Sequence, residues 1–252
     1  MTILREALSF CHAESLLLLF GGSFNPPHTG HLRLALECAE LLRPASCLFI
    51  PCSVPPHKEG NNLLPFDLRV ALLRAALGDL SPEAAHVFAV SEVERERPGP
   101  SYTADTLEIL AGRYPALRPV FIMGSDDYRQ LADWRRGRLI PDLADLVVLP
   151  RGKDGAGEFR EQTSALRPDA VPMPRREARD GETAFVLPGG GVIRLFSSPC
   201  LEISSSLVRE RFLAGRDLTF LVPPGVLRLM LEQRDAIRRI WSCGSSHCGK
   251  RA

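Results

Sequence analysis

The chain has 252 residues, 45% hydrophobic and 24% charged, a balance that suits one large globular domain or two small ones. A formal net charge of +1 removes any bulk electrostatic argument for nucleic acid or an anionic membrane, although a small anion needs only a local cluster of donors. No apolar run approaches the roughly 20 residues of a membrane helix. Glu6 and Glu14 precede a short apolar run, so the N-terminus does not read as a signal peptide. Seven cysteines without CxxC spacing suit reduced thiols, and the expected location is cytoplasmic.

In chain order, short apolar runs alternate with amphipathic stretches. The expected fold is therefore α/β, a Rossmann-like, doubly wound, mainly parallel sheet in a single domain with a small C-terminal helical part. Expected strands are Leu16–Phe20, Cys47–Pro51, His86–Val90, Val120–Met123, Leu146–Leu149 and Val192–Phe196. Helical spacing marks Leu32–Leu42, Leu68–Leu77 and Leu107–Leu110, then Ser206–Ala214 and a last helix after Pro223-Pro224. Residues 1–15 read as an extension, 16–235 as the domain and 236–252 as a polar tail. Within the domain, 151–183 reads as a polar insertion with room for one short helix.

The first crossing, FGGSFNPPHTGHLRLA, is a strand, a stiffened loop and a helix start. In such sheets ligands gather at the carboxyl ends of strands, beside helix N-termini with free N–H groups. Gly21 and Gly22 allow close approach, and Pro26 and Pro27 limit the loop's freedom. His28 and His31, three apart, share one face of a first turn and can donate to one phosphate as charge grows on it. Zinc ligation is weighed and disfavoured, because HxxH is not HExxH; a GxGxxG dinucleotide loop is absent. An ordinary turn with incidental histidines is the remaining alternative.

A second grip lies in ISSSLVRERFLAG, after the strand ending at Phe196. Taking Ser206 as the N-cap puts Arg209 where a capping box wants Glu or Gln, and a first-turn cation is favourable only beside an anion. Ser205, Ser206 and Arg209 thus suggest a polyphosphate site, against the plainer reading of a capped helix with a solvated arginine. CSVPPHKEG presents Lys58 as a mobile point charge. In PSYTADTL, Thr103 either offers a hydroxyl and N–H to a carboxylate or starts a helix. In FIMGSDDYRQLADW, Gly124 permits close approach, Asp126 can accept from ribose hydroxyls, and Trp134 can stack on a ring or fill the core.

GGSFNPPHTGH resembles the GxFxPxHxGH loop of the HxGH nucleotidyltransferase superfamily, and ISSSLVR resembles its partner ISSTxIR, with Ser206 in place of Thr. With VPPHK, PSYTADTL, the GSD after a strand, the later tryptophan and LPRG, the chain from about Leu18 to Leu231 looks like the bacterial nicotinate-nucleotide adenylyltransferases. The resemblance implies transfer of the adenylyl group of ATP to nicotinate mononucleotide in NAD biosynthesis, giving deamido-NAD and pyrophosphate. It implies catalytic roles for His28, His31 and Arg209, and ATP contacts at Gly22, Ser23, Phe24, His28, His31, Gly124, Asp126, Ser205, Ser206 and Arg209. It implies nicotinate mononucleotide contacts at Lys58, Thr103, Trp134 and Arg151. The expected cofactor is Mg²⁺ carried mainly on the ATP phosphates, with no protein-held metal. The expected partners are the two nucleotides, with no nucleic acid or membrane and a homo-oligomer left open. Arg135 departs from the pattern, since an aromatic residue can follow that tryptophan.

Two other readings stay open. One is a pantetheine-phosphate adenylyltransferase, a family usually shorter and without PSYTADTL; the other is a non-catalytic nucleotide-binding regulator. The basic run WRRGR reads as a solvated face rather than a docking site, and Cys243, His247 and Cys248 as tail.

Overall fold

A computed structural model describes residues 15–55, 62–150, 155–174, 183–196 and 201–245. The chain divides into two compact units: Met1–Gly21, Glu37–Leu48 and Tyr102–Cys200 form one, and Gly22–Leu36, Phe49–Ser101 and Leu201–Ala252 the other. In chain order the elements begin with β1 (Leu16–Gly22), α1 (Thr29–Leu42), β2 (Ser46–Pro51), α2 (Phe66–Leu77), α3 (Pro82–Ala85) and β3 (Phe88–Val90). Then come α4 (Thr103–Arg113), β4 (Arg118–Gly124), α5 (Ser125–Arg129), α6 (Ile140–Leu143), β5 (Asp145–Leu149) and α7 (Ala156–Leu166). The chain continues through β6 (Val171–Pro172), β7 (Thr183–Val186), β8 (Val192–Leu195), α8 (Ser205–Leu213), α9 (Pro224–Glu232) and α10 (Arg234–Ser245). The sheet order is β3-β2-β1-β4-β5-β8-β7-β6. Strands β1, β4, β5 and β8 pair in parallel, and β8, β7 and β6 pair antiparallel.

The parallel strands are short continuous apolar runs because both faces of the sheet are covered. Leu17, Leu18 and Leu19 of β1, Ile122 of β4 and Leu146 to Leu149 of β5 are all buried. Each such side chain contributes about 1.5–3 kcal/mol on burial. In the first unit, α7 supplies Phe159, whose ring meets those of Tyr128 and Phe185. The Tyr128 hydroxyl is satisfied by Thr163 at 2.9 Å. At the start of β5, buried Asp145 accepts from Arg118 Nη2 at 2.7 Å and from the Val192 N–H at 2.8 Å. Burial raises its carboxyl above the ordinary value, against the pull of Arg118.

In the second unit, helix α2 packs against α9, and only a glycine fits the contact. An ideal Cβ on Gly225 would lie 2.8 Å from the Ala75 carbonyl. The Gly225 N–H donates to Asp79 at 2.6 Å, which satisfies one donor of the α9 N-terminus. Helix α10 closes this unit with Ile237 and Trp241, one turn apart and buried; Trp241 meets Phe212 edge-on at 5.4 Å.

Several elements differ from the sequence reading. The strand expected at His86–Val90 begins at Phe88, because Ser81 caps α3 and the turn consumes His86 and Val87. The polar insertion carries the 11-residue helix α7 and leads into the antiparallel strands β6 and β7. Residues 236–245, assigned to a tail, continue α10. No helix among the described residues is long and apolar enough to cross a membrane.

Candidate active site

Strand β1 ends at Gly22, and the loop to Thr29 is fixed by buried residues rather than by regular structure. Phe24 adopts a left-handed backbone, φ +45°, and its ring is 1% exposed. An ideal Cβ on Gly22 would lie 3.2 Å from the Phe24 ring, so glycine makes room for it. Phe24 meets the rings of His31 at 5.1 Å and Phe49 at 5.7 Å. Asn25, also buried, accepts from the Leu64 N–H at 3.0 Å and donates to the Asn62 carbonyl at 2.9 Å.

Helix α1 begins at Thr29, which puts His28 at the N-cap and His31 at the third helical position. The His28 N–H donates to His31 Nδ1 at 3.2 Å, the side-chain-to-cap half of a capping box. That bond requires Nδ1 to be bare, so a neutral His31 carries its proton on Nε2, the nitrogen facing away from its own turn. The two rings stack at 3.6 Å, tilted by 31°. Gly30 makes room for this stack: an ideal Cβ there would lie 3.1 Å from His28 Nδ1 and 3.2 Å from its Cε1. The first-turn N–H groups of Thr29 and His31 are taken by the carbonyls of Leu221 (2.9 Å) and His28 (3.0 Å). Among the described residues the Gly30 N–H meets no acceptor.

Helix α8 brings Ser205, Ser206 and Arg209 into the same unit as the histidines. Its N-cap is Ser204, which accepts from the Leu207 N–H at 3.1 Å. The assignment of Ser206 as the cap is thus corrected by two residues. Three consecutive serines can each cap, and the one with extended backbone does so. Arg209 therefore stands in the second turn, and the capping-box argument for its charge falls away. Its placement comes from other contacts: Nη1 donates to the Asn25 carbonyl at 2.8 Å and Nη2 to Ser206 Oγ at 2.9 Å. Burial lowers its pKa from the ordinary guanidinium value. Ser205 Oγ donates to the Pro26 carbonyl at 2.8 Å. The Asn25 and Pro26 carbonyl oxygens, which would repel a phosphate, are thereby each occupied by a donor.

In the other unit, Thr103 is the first residue of α4, and its N-cap Tyr102 supplies no side-chain cap. Gly124 ends β4 and precedes α5; Asp126 in α5 pairs with Arg129. Trp134 is half-buried in a turn that closes through the Gly137 N–H and the Trp134 carbonyl at 2.8 Å. Gly137 admits no side chain, since an ideal Cβ would lie 1.7 Å from the Leu131 carbonyl oxygen. Arg136 pins the turn to α4 through Asp105 (3.1 Å) and Glu108 (2.9 Å). The Arg135 guanidinium lies 4.4 Å above the Tyr102 ring, a cation–π contact on the helix that begins with Thr103. Lys58 and Arg151 lie outside the described residues. Asn25 and Arg69 contact the histidine loop without having been singled out in the sequence; Asn25 stood inside the motif, whereas Arg69 gave no signal.

The arrangement gathers imidazole, guanidinium and hydroxyl groups at the starts of two helices. The cytidylyltransferase-like family profile matches residues 19–211, and the chain belongs to that family of nucleotidyltransferases. Curated relatives carry a more particular name. The proteins from Maridesulfovibrio salexigens (34% identity, 88% of this chain and 98% of the relative) and Pelobacter propionicus (37%, 86% and 95%) are each named "Probable nicotinate-nucleotide adenylyltransferase". Among solved structures, the Plasmodium falciparum nicotinic acid mononucleotide adenylyltransferase complexed with NaAD has the same fold. Its TM-score is 0.67 at 16% identity over 88% of this chain and 97% of that one.

Proposed function

We propose that this protein transfers the adenylyl group of ATP to nicotinate mononucleotide, producing deamido-NAD (nicotinate adenine dinucleotide) and pyrophosphate, a step of NAD biosynthesis. The observation that carries the reading is the stacked His28–His31 pair at the start of α1, in one unit with Arg209 on α8. The relatives named above support the choice of acceptor.

In the reaction a phosphate oxygen of the mononucleotide attacks the ATP α-phosphorus in line. One P–O bond forms, the bond to the β-phosphate bridging oxygen breaks, and pyrophosphate leaves with that electron pair. The nucleophile is already anionic, so the protein needs neither a strong base nor a covalent intermediate. Its work is positioning and neutralisation of charge. His31, with its proton on Nε2, donates to the α-phosphate as charge grows there, and His28 shares that load. Gly22, Ser23, Phe24 and the Gly30 N–H line the nucleotide's approach. Arg209 keeps N–H donors beyond the two it spends internally, and with Ser205 and Ser206 it meets the β- and γ-phosphates. Gly124 and Asp126 receive the adenosine. Thr103, Trp134, Lys58 and Arg151 receive the acceptor nucleotide, the carboxylate lying toward Thr103 and the pyridine ring toward Trp134. Mg²⁺ would be carried on the triphosphate's own oxygens, as it commonly is with nucleotides. Bound there, Mg²⁺ would neutralise part of the phosphate charge.

The test is pyrophosphate release by the purified protein with ATP and each of three acceptors: nicotinate mononucleotide, nicotinamide mononucleotide and phosphopantetheine. Fastest turnover with nicotinate mononucleotide is expected. Preference for phosphopantetheine, or ATP binding with no turnover on any acceptor, would replace this reading.

A further inference from the structure

Arg69 is 1% exposed, although it sits on α2 with Arg74, whose side chain is 63% exposed. Among the described residues it forms no ion pair within contact distance; burial lowers its pKa, and the charges of Cys52 and Glu94 partly oppose that shift. Its Nε donates to the Leu64 carbonyl at 2.9 Å and its Nη1 to the Ser23 carbonyl at 2.9 Å, with the guanidinium 5.4 Å from the Phe66 ring. Burying a cation to fill volume is a poor solution, since an apolar residue of similar size does so without desolvating a charge. What a guanidinium adds is direction: a rigid fork that fixes two carbonyls relative to each other.

One of those carbonyls belongs to the histidine loop. Holding the Ser23 oxygen fixes the plane of the Ser23–Phe24 peptide at the point where the chain enters the left-handed conformation at Phe24. The Phe24 ring, seated over Gly22, then sets its edge against His31 at 5.1 Å. Leu64, whose carbonyl takes the other arm of the fork, gives its N–H to Asn25, so the loop is held at both Ser23 and Asn25.

We infer that Arg69 is a positioning residue for nucleotidyl transfer, acting through the Ser23 carbonyl and the Phe24 ring to hold His31 in its reactive orientation. The inference rests on the proposed adenylyl transfer, and its test has one arm that does not depend on turnover. Arg69→Lys keeps the charge and loses the fork. The variant is expected to lower kcat about 10- to 100-fold while KM for both nucleotides changes little, as for a catalytic group displaced by a fraction of an ångström to an ångström. The His31 Cε1–H resonance, read by NMR without substrate, is expected to move as the ring current of Phe24 shifts. Adding millimolar guanidinium to Arg69→Ala is expected to restore part of the lost kcat. A folded Arg69→Lys protein with wild-type kcat, or with an unmoved His31 resonance, overturns the inference. Should the Arg69 variants not fold, Phe24→Leu takes their place, and a wild-type kcat there overturns it equally. Wild-type protein inactive on every acceptor would remove the adenylyl-transfer reading, while the resonance would still report whether Arg69 governs His31.

Discussion

Alanine in place of Gly30 separates catalysis from stability, because the first should fall while the second hardly moves. The new methyl would sit 3.1 Å from His28 Nδ1 and 3.2 Å from Cε1, so the ring must retreat by a few tenths of an ångström to regain ordinary contact. His28 is buried and stacked on His31, so the retreat disturbs both rings. A misplacement of about 1 Å can cost about 100-fold in rate, so about a third of that displacement corresponds to roughly 1 kcal/mol, or about fivefold in kcat. Alanine is the better helix former, by up to about 1 kcal/mol in a helix interior, and that gain offsets the crowding at His28, so Tm should stay within about 2–4 °C. The expected result is a kcat lowered about fivefold with Tm little changed, measured by pyrophosphate release and a thermal melt. Undiminished kcat would show that the reaction does not depend on where the His28 ring stands.

Three further outcomes follow from the same geometry. His31→Ala removes a preorganised donor and should lower kcat about 100- to 1,000-fold, with a much smaller effect on KM for ATP; steady-state kinetics checks the split. Gly137→Ala drives a methyl into the Leu131 carbonyl, so urea unfolding should show a loss of about 3 kcal/mol or more, together with weaker binding of the acceptor nucleotide through the displaced Trp134 turn. Burial, reinforced by Glu94 and opposed by the Ser101 hydrogen bond, pushes the Cys52 thiol up to about 12. Only the thiolate is alkylated, so modification of Cys52 by iodoacetamide should be slow at pH 8 and rise about tenfold per pH unit without a plateau through pH 10. Peptide mass spectrometry reads it, and a plateau near pH 9 would contradict the buried environment.

The histidine loop was legible because its meaning is local: glycines, prolines and two rings within eleven residues, between a buried strand and an amphipathic helix. Helix α8 was legible in place but not in phase. Ser204, Ser205 and Ser206 are equivalent caps on paper, and only the backbone at Ser204 chooses among them. Strands β6 and β7 escaped because two and four residues carry too little alternation to stand out from polar surroundings. Helix α10 escaped because charged residues crowd its first turns, while its core contribution is chiefly Ile237 and Trp241. Arg69 was invisible for a deeper reason. An arginine on an amphipathic helix reads as solvated, and only the arrival of two carbonyls from other segments makes its burial tolerable.

The contacts that tie Ser205 to Pro26 and Arg209 to Asn25 span 179 and 184 residues. A nascent chain emerging from the ribosome therefore displays its two imidazoles long before α8 and cannot finish their setting until that helix has been made. Premature termination anywhere between α1 and α8 would yield a polypeptide that holds the two rings but lacks the clamp on the backbone beside them.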